Sequence, residues 1–217
     1  NYSNIHSAYS PKPIGILYTQ LLASGVDRYD AVAEVVNTNP NFLVKFDYYF
    51  VVGDKNTPAQ SGLLLAGEEK LLPVLGLPAN EYGGAATLVF QNIAWKRISA
   101  HEITRPKEWQ ADRLNFEVSN FDFSNIRTAD SPHAGKITFD YKNNTAFNYV
   151  DASFYVGLYQ GGSLVGVLPL HFSSFSSQET KKVDLRDFVL NIVVDAVKVL
   201  PLINVYDPSV YLPPLGS

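Results

Sequence analysis

The sequence predicts an all-β protein: two antiparallel β-sandwiches in tandem, preceded by an extended N-terminal arm. Three observations predict it. Two runs alternate along the chain, Val44, Phe46, Tyr48, Phe50 and Val52 in the first half and Val150, Ala152, Phe154, Val156 and Leu158 in the second, as half-buried strands do. Each run follows an asparagine-rich turn, Asn37 to Asn41 and Asn143–Asn144. Asn39 and Asn144 stand about 105 residues apart, roughly one sandwich. Turn residues recur at roughly the 8–12-residue spacing of sandwich strands, and strong helix signals are missing. The expected division is 1–13 as arm or linker, 14–100 as the first sandwich and 101–217 as the second.

Residues 1–13 are polar and punctuated by Pro11 and Pro13, which reads as extended chain. Ile14 to Leu22 would suit a short helix through Leu17, Leu21 and Leu22, but the prolines ahead and Gly25 behind favour a strand. Tyr29 to Val36 alternates weakly. The Val44–Val52 strand ends in a hairpin cluster, Gly53 to Asn56. Ser61 to Ala66 is a short strand. Lys70 to Leu77 contains Pro73 and precedes Pro78, which places it on a sheet edge or interrupts it. Ala86 to Ile98 is a long strand after Gly83–Gly84. Only 106–114 suits a helical turn or two.

The second half reads as strands at Leu114–Val118, Lys136–Tyr141, Tyr149–Tyr159, Leu164–His171, Thr180–Leu185 and Phe188–Val199. Gln160 to Ser163 is its hairpin turn. Ser119 to Ala134 is expected to be a long loop. Phe188 to Val199 is apolar on both faces near its centre, the mark of a strand buried on two sides.

Composition narrows the function. The chain has 217 residues, 46% of them hydrophobic, with 13 Tyr and 13 Phe, enough for buried cores and suited to strands. Charged residues are 18%, below the usual ~25%. A net charge of −4 argues against the basic stripe of a nucleic-acid binder. Lys96, Arg97, Arg105, Lys107 and Arg113 are interleaved with Glu102, Glu108 and Asp112, as in a solvated linker. With no Cys, disulfides and thiolate metal sites are excluded. No apolar run reaches the ~18 residues of a membrane span. The absence of Met leaves room for a signal peptide or anchor ahead of Asn1.

No chemistry-bearing motif emerges. His6, His101, His133 and His171 lack metal-site spacing. Gly161 to Gly166 misses the G-x-S-x-G pattern of a nucleophile elbow, and Glu68–Glu69 reads as a solvated turn. Asn120, Asp122, Asn125 and Asp130 carry oxygen ligands that calcium takes, without the regular loop spacing; Asp27 and Asp30 are weaker still. Asn1 and Asn143 begin N-x-S/T acceptor triplets, the second in an expected exposed turn. Tyr49, Tyr155 and Tyr159 lie off the main apolar faces and are expected either to cover a sheet or to meet a partner. No cofactor is expected.

The stretches GKITFDY (Gly135–Tyr141), KNNTAFNY (Lys142–Tyr149) and ASFYVGLYQGGSLVG (Ala152–Gly166), with FSSQETKKVDL (Phe175–Leu185), resemble the FxLYD-type immunoglobulin-like domains of prokaryotic cell-surface proteins. Tyr29–Phe42 and Gly67–Pro73 are similar in outline. The tandem resembles extracytoplasmic, often membrane-anchored proteins that pair two such domains. The resemblance implies an exposed, non-catalytic role and carries over no site residues. The expected function is that of a self-assembling subunit of an extracellular filament or sheath, whose partners are copies of itself or other cell-surface proteins. Its N-terminal arm would add a strand to a neighbour's sheet, with Ile14, Ile16, Tyr18, Leu21 and Leu22 as the contact residues. The alternative is a monomeric, membrane-tethered binding or spacer module; an enzyme has the least support.

Overall fold

Runs of β-branched and aromatic residues bounded by Gly, Asn and Pro become strands throughout the computed structural model, which describes residues 10–126, 134–187 and 192–212. The protein is all-β, built of antiparallel sheets packed as sandwiches. In the first half, β1 (Gly15–Gly25), β2 (Arg28–Val36) and β6 (Glu69–Pro78) form sheet A in the order β1-β2-β6. Sheet B centres on β3 (Phe42–Val52), flanked by β7 (Ala86–Arg97) on one side and by β4 (Lys55–Asn56) and β5 (Gln60–Leu64) on the other. In the second half, β8 (Phe116–Ile126), β9 (Ala134–Asn143) and β12 (Thr180–Asp187) form sheet C, with β9 central. Sheet D has β10 (Tyr149–Gln160) between β11 (Ser163–Phe175) and β13 (Ala196–Pro201). Replacing β1, β2, β3, β5, β6 and β7 by β8 to β13 in order reproduces the same two sheets.

Alternation fixes which faces meet. Val44, Phe46, Tyr48, Phe50 and Val52 of β3 are buried against Ala31, Ala33 and Val35 of β2, filling the space between sheets A and B. Phe46 stands directly over Gly62, where any Cβ would collide with its ring. Ile137 and Phe139 of β9 meet Phe154 and Val156 of β10 between sheets C and D. A third apolar layer was not foreseen. Val32 and Leu71 on the outer face of sheet A pack with Leu164, Val167 and Leu200 on the outer face of sheet D. Tyr155 and Tyr159 join this layer, so the partner of those two tyrosines is the other half of the same chain. The sheets therefore stack B, A, D, C. β2 is buried on both faces, with Ala31, Val32, Ala33 and Val35 all at 0% exposure.

The repeat extends to a polar clasp beside each sandwich. Asn37 Nδ2 donates to the Phe42 and Leu65 carbonyls (2.7 and 2.8 Å), and its Oδ1 accepts from the Asn39 N–H (3.0 Å). Asn143 does the same with the Phe147 and Phe175 carbonyls (2.9 and 3.1 Å) and the Thr145 N–H (3.0 Å). Glu68 accepts from the Leu65 N–H and pairs with Lys70; Glu179 accepts from the Ser176 N–H and pairs with Lys181.

One helix, α1 (Pro106–Arg113), joins the halves, with Pro106 in its first turn where a missing N–H costs nothing. Gln110 pairs both ways with the Ala66 peptide: Nε2 donates to its carbonyl (2.9 Å) and Oε1 accepts from its N–H (3.1 Å). The Tyr206 hydroxyl also donates to Gln110 Oε1 (2.8 Å). Trp109 stacks on Tyr206, and the Arg113 guanidinium lies over the Trp109 and Phe147 rings at 3.7 and 4.4 Å.

Two expectations are corrected. Ser119 to Ile126 is strand, not loop: Asn120 takes a left-handed conformation (φ 53°) at a bulge between β8 and β9, and the strand continues beyond it. Ile192 to Asp195 is not strand, and Val193 is 51% exposed. Only Ala196–Pro201 forms β13, along which exposed residues (Ala196, Lys198) alternate with more buried ones (Val197, Val199), so this segment is not the strand buried on two sides. Residues 188–191 lie outside the described residues.

Candidate functional site

A sandwich with open edges must keep its edge strands from pairing with other chains, and proteins do so with charge, proline, bulges or brevity. Most edges here carry such devices. β6 contains Pro73 and Pro78 and a bulged Gly76 (φ 72°); β7 has a bulge at Asn92 (φ 50°) with Lys96 and Arg97. β4 and β5 are two and five residues long. β8 carries its Asn120 bulge, Glu117 and Asp122; β12 carries Lys181, Lys182, Asp184 and Arg186. β11 contains Pro169, and β13 is six residues long with Lys198 and Pro201.

β1 differs. Its eleven residues, GILYTQLLASG, include no charge and no proline, and its defence is limited to register shifts against β2. Ile16 and Leu17 are 47% and 52% exposed on it. Only β2 pairs with it among the described residues.

The five expected contact residues are dispersed by this placement. Ile14 and Leu21 turn into the core between sheets A and B, and Leu22 joins the layer between A and D. Tyr18 is half-buried; burial, then Glu34 and Tyr159 beside it, hold its hydroxyl above the ordinary tyrosine range. Ile16 alone of the five is an exposed apolar side chain, beside Leu17, which the sequence reading passed over. β1 is also fixed in its own subunit. A two-residue turn, Val26–Asp27 with Asp27 at φ 57°, joins it to β2, and Thr19 Oγ1 donates to the Ala86 carbonyl of β7 (2.8 Å). The arm's root is fixed as well: the Lys12 N–H donates to Asn39 Oδ1 (2.7 Å) and Asn39 Nδ2 donates back to the Lys12 carbonyl (2.9 Å).

The other candidates resolve into structural roles. Asn143 is fully buried, and its amide nitrogen donates to the Phe147, Phe175 and Ser176 carbonyls. A glycan on that nitrogen is incompatible with this fold, which corrects the acceptor assignment. Asn1 lies outside the described residues, as do His6, His133 and Asp130. Asn120, Asp122 and Asn125 sit along a strand, with Asn120 bonded to Asp140 (2.7 Å), and do not converge on a cation. Among the described residues no group of three or more His, Asp or Glu could hold a metal ion.

Cross-strand register does bring together one set the sequence could not reveal. Ser153 Oγ lies 3.2 Å from His171 Nδ1, and His171 Nε2 lies 3.8 Å from Asp151. The second distance is too long for an orienting hydrogen bond, and His171 and Asp151 are largely exposed. The set lacks what an activated nucleophile needs. A cleft of about 530 Å³ at the junction of the halves is walled by Leu43, Ile98, Trp109, Arg113, Tyr206 and Tyr211 among others. Its planar side chains are stacked on one another and hold the linker in place.

No family model matches the chain, and no curated protein matches it. Among solved structures, the crystal structure of red sea bream transglutaminase is matched over 92% of this chain and 32% of that one. The chain thus spans about a third of that protein's length. At 10% identity and a TM-score of 0.25, the match assigns neither a family nor an activity.

Proposed function

We propose that the chain is a non-catalytic structural subunit of the cell surface, made of two immunoglobulin-like domains packed face to face, which self-assembles into an extracellular filament or sheath through its N-terminal arm. The observation that carries this reading is β1: a long, uncharged, proline-free edge, where every other edge among the described residues carries charge, proline or brevity. The resemblance of the two halves to surface domains and the stacking of four sheets into one block support it. A block pinned by Gln110 and the Trp109–Tyr206 stack suits a building unit better than a hinge. No helix among the described residues is long and apolar enough to cross a membrane.

The test is sedimentation velocity with light scattering on the full chain and on a chain lacking residues 1–9. Deletion through Leu22 would remove most of β1 and unbalance sheet A, so the shorter deletion is the informative one. The full chain is expected to form concentration-dependent oligomers that the deletion abolishes. A monomer at every concentration would refute assembly and favour the tethered spacer.

A further inference from the structure

We propose that the cleft at the junction of the halves binds a small organic carboxylate, a ring compound whose body meets the apolar wall and whose anion meets Arg113 and Lys96. This goes beyond the self-assembly reading and does not depend on it. The cleft encloses about 530 Å³, within the roughly 300–1,000 Å³ of small-molecule sites. Such sites pair apolar and aromatic walls with a few convergent polar groups, and this one has both. Leu43 and Ile98 line it as buried members of one apolar cluster, against which Tyr206 packs. The Trp109, Phe147 and Tyr211 rings complete the apolar lining. The two bonds between Gln110 and the Ala66 peptide hold α1, and with it Trp109 and Arg113, in place before any ligand arrives.

The charged lining sets the sign of the ligand. Lys96, Arg97 and Arg113 face the cleft with a single carboxylate, Glu102, in a chain whose net charge is −4. Arginine withdrawn from water normally has an anionic partner. Half-buried Arg113 has rings instead, Trp109 and Phe147 at 3.7 and 4.4 Å, and its Nη1 donates to the Trp109 carbonyl (3.1 Å). A guanidinium has more N–H donors than one carbonyl can use. No carboxylate among the described residues forms an ion pair with Arg113 or Lys96. Neither neighbouring tyrosine supplies a phenolate: burial pushes the Tyr206 hydroxyl up to about 12 and raises that of Tyr211. Both hydroxyls spend their protons internally, on Gln110 Oε1 (2.8 Å) and on the Val205 carbonyl (2.7 Å). Two cations without a counter-ion beside an apolar wall suit an amphipathic anion. A carboxylate matches the planar fork of arginine with both its oxygens, and its single charge is repelled less by Glu102 than a phosphate dianion would be.

The chain has two tryptophans, and they separate the site from the rest of the molecule. Trp109 lines the cleft, whereas Trp95 packs on the core between sheets A and B. The full chain is titrated with sodium 2-naphthoate at neutral pH while NMR follows the two indole N–H signals. The Trp109 signal should move and saturate while that of Trp95 stays in place. Naphthalene-2-methanol (the ring without the charge) and acetate (the charge without the ring) should each bind about tenfold more weakly or worse. Lys96→Gln leaves the fold intact, because Lys96 is exposed; it should melt with the parent and weaken naphthoate binding about fivefold. Five results would overturn the proposal: no saturable shift of Trp109 at millimolar naphthoate, both indoles moving together, the alcohol binding as well as the acid, acetate or inorganic phosphate competing as well as naphthoate, or Lys96→Gln binding as the parent does.

Discussion

Removing the side chain of Asn143 tests whether the clasp, rather than a surface modification, explains this residue. Its amide donates to three carbonyls and its oxygen accepts from the Thr145 N–H and hydroxyl (3.0 and 2.7 Å). Two N–H donors and two accepted bonds, at about 1 kcal/mol net each, put the cost of Asn143→Ala at about 3–5 kcal/mol. That is a large share of the ~5–15 kcal/mol that holds a domain together. Asn143→Asp is harsher at neutral pH, because it turns a buried carboxylate toward three carbonyl oxygens. Burial and those oxygens raise the folded pKa of the new carboxyl above its unfolded value near ~3.9. A raised folded pKa means the aspartate variant is least impaired below the unfolded pKa and loses stability as pH rises through the folded one. Urea denaturation followed by tryptophan fluorescence, repeated across pH, measures both effects. Asn144→Ala serves as control, since Asn144 bonds only to the exposed Glu117 side chain and to the Asn115 carbonyl through its backbone. An alanine variant within about 1 kcal/mol of the parent, or an aspartate variant whose deficit ignores pH, would refute the reasoning.

Other perturbations should act at separate points of the stack. Gln110→Ala strips the Ala66 peptide of both its partners and should cost about 1–3 kcal/mol and open the 98–115 linker to limited proteolysis; equal protease resistance would contradict the pinned junction. Gly62→Ala drives a Cβ into the Phe46 ring and should cost about 1–3 kcal/mol in denaturant unfolding. Burial holds the Asp30 carboxyl above its ordinary value in spite of hydrogen bonds from the Gly76 N–H and Ser24. The ionised form is thus disfavoured in the fold, and the penalty grows as pH rises through the folded pKa. Asp30→Asn, which keeps the acceptor oxygen, should therefore melt above the parent at pH 7, with the gap closing toward pH 3.

Much of the fold was legible because side chains alternate. β3 and β10 were readable from one apolar face each, and Pro73 left β6 as either an edge strand or an interrupted one, of which the edge is what forms. The Asn37 and Asn143 turns signalled a repeat, although the equivalent residues are those two rather than Asn39 and Asn144. Stacking of the halves was harder to read. Its signal lay in Ala31–Val36, apolar except for Glu34, which as a sequence shows only the weak alternation of Tyr29 to Val36. Two-sided burial was assigned instead to Phe188–Val199, whose valines looked equally apolar. Ser119–Asn125 read as loop because Asn, Asp and Ser are turn formers; a single left-handed Asn120 lets the strand absorb them.

The candidate site was half legible. The apolar stretch after Pro13 was visible, but whether it gives or receives a strand depends on a two-residue turn whose tightness only the structure reveals. The N-x-T triplet at Asn143 misled for a related reason: a pattern of three residues carries no information on burial.

Hydrogen–deuterium exchange at the β1 amides, read as a function of protein concentration, bears most directly on whether this chain works through an open strand edge. Protection of 15–25 should rise as subunits associate, while β12, with its charged edge, stays unchanged. Exchange at β1 that is fast and identical at every concentration, in a sample that nonetheless assembles, would contradict the account.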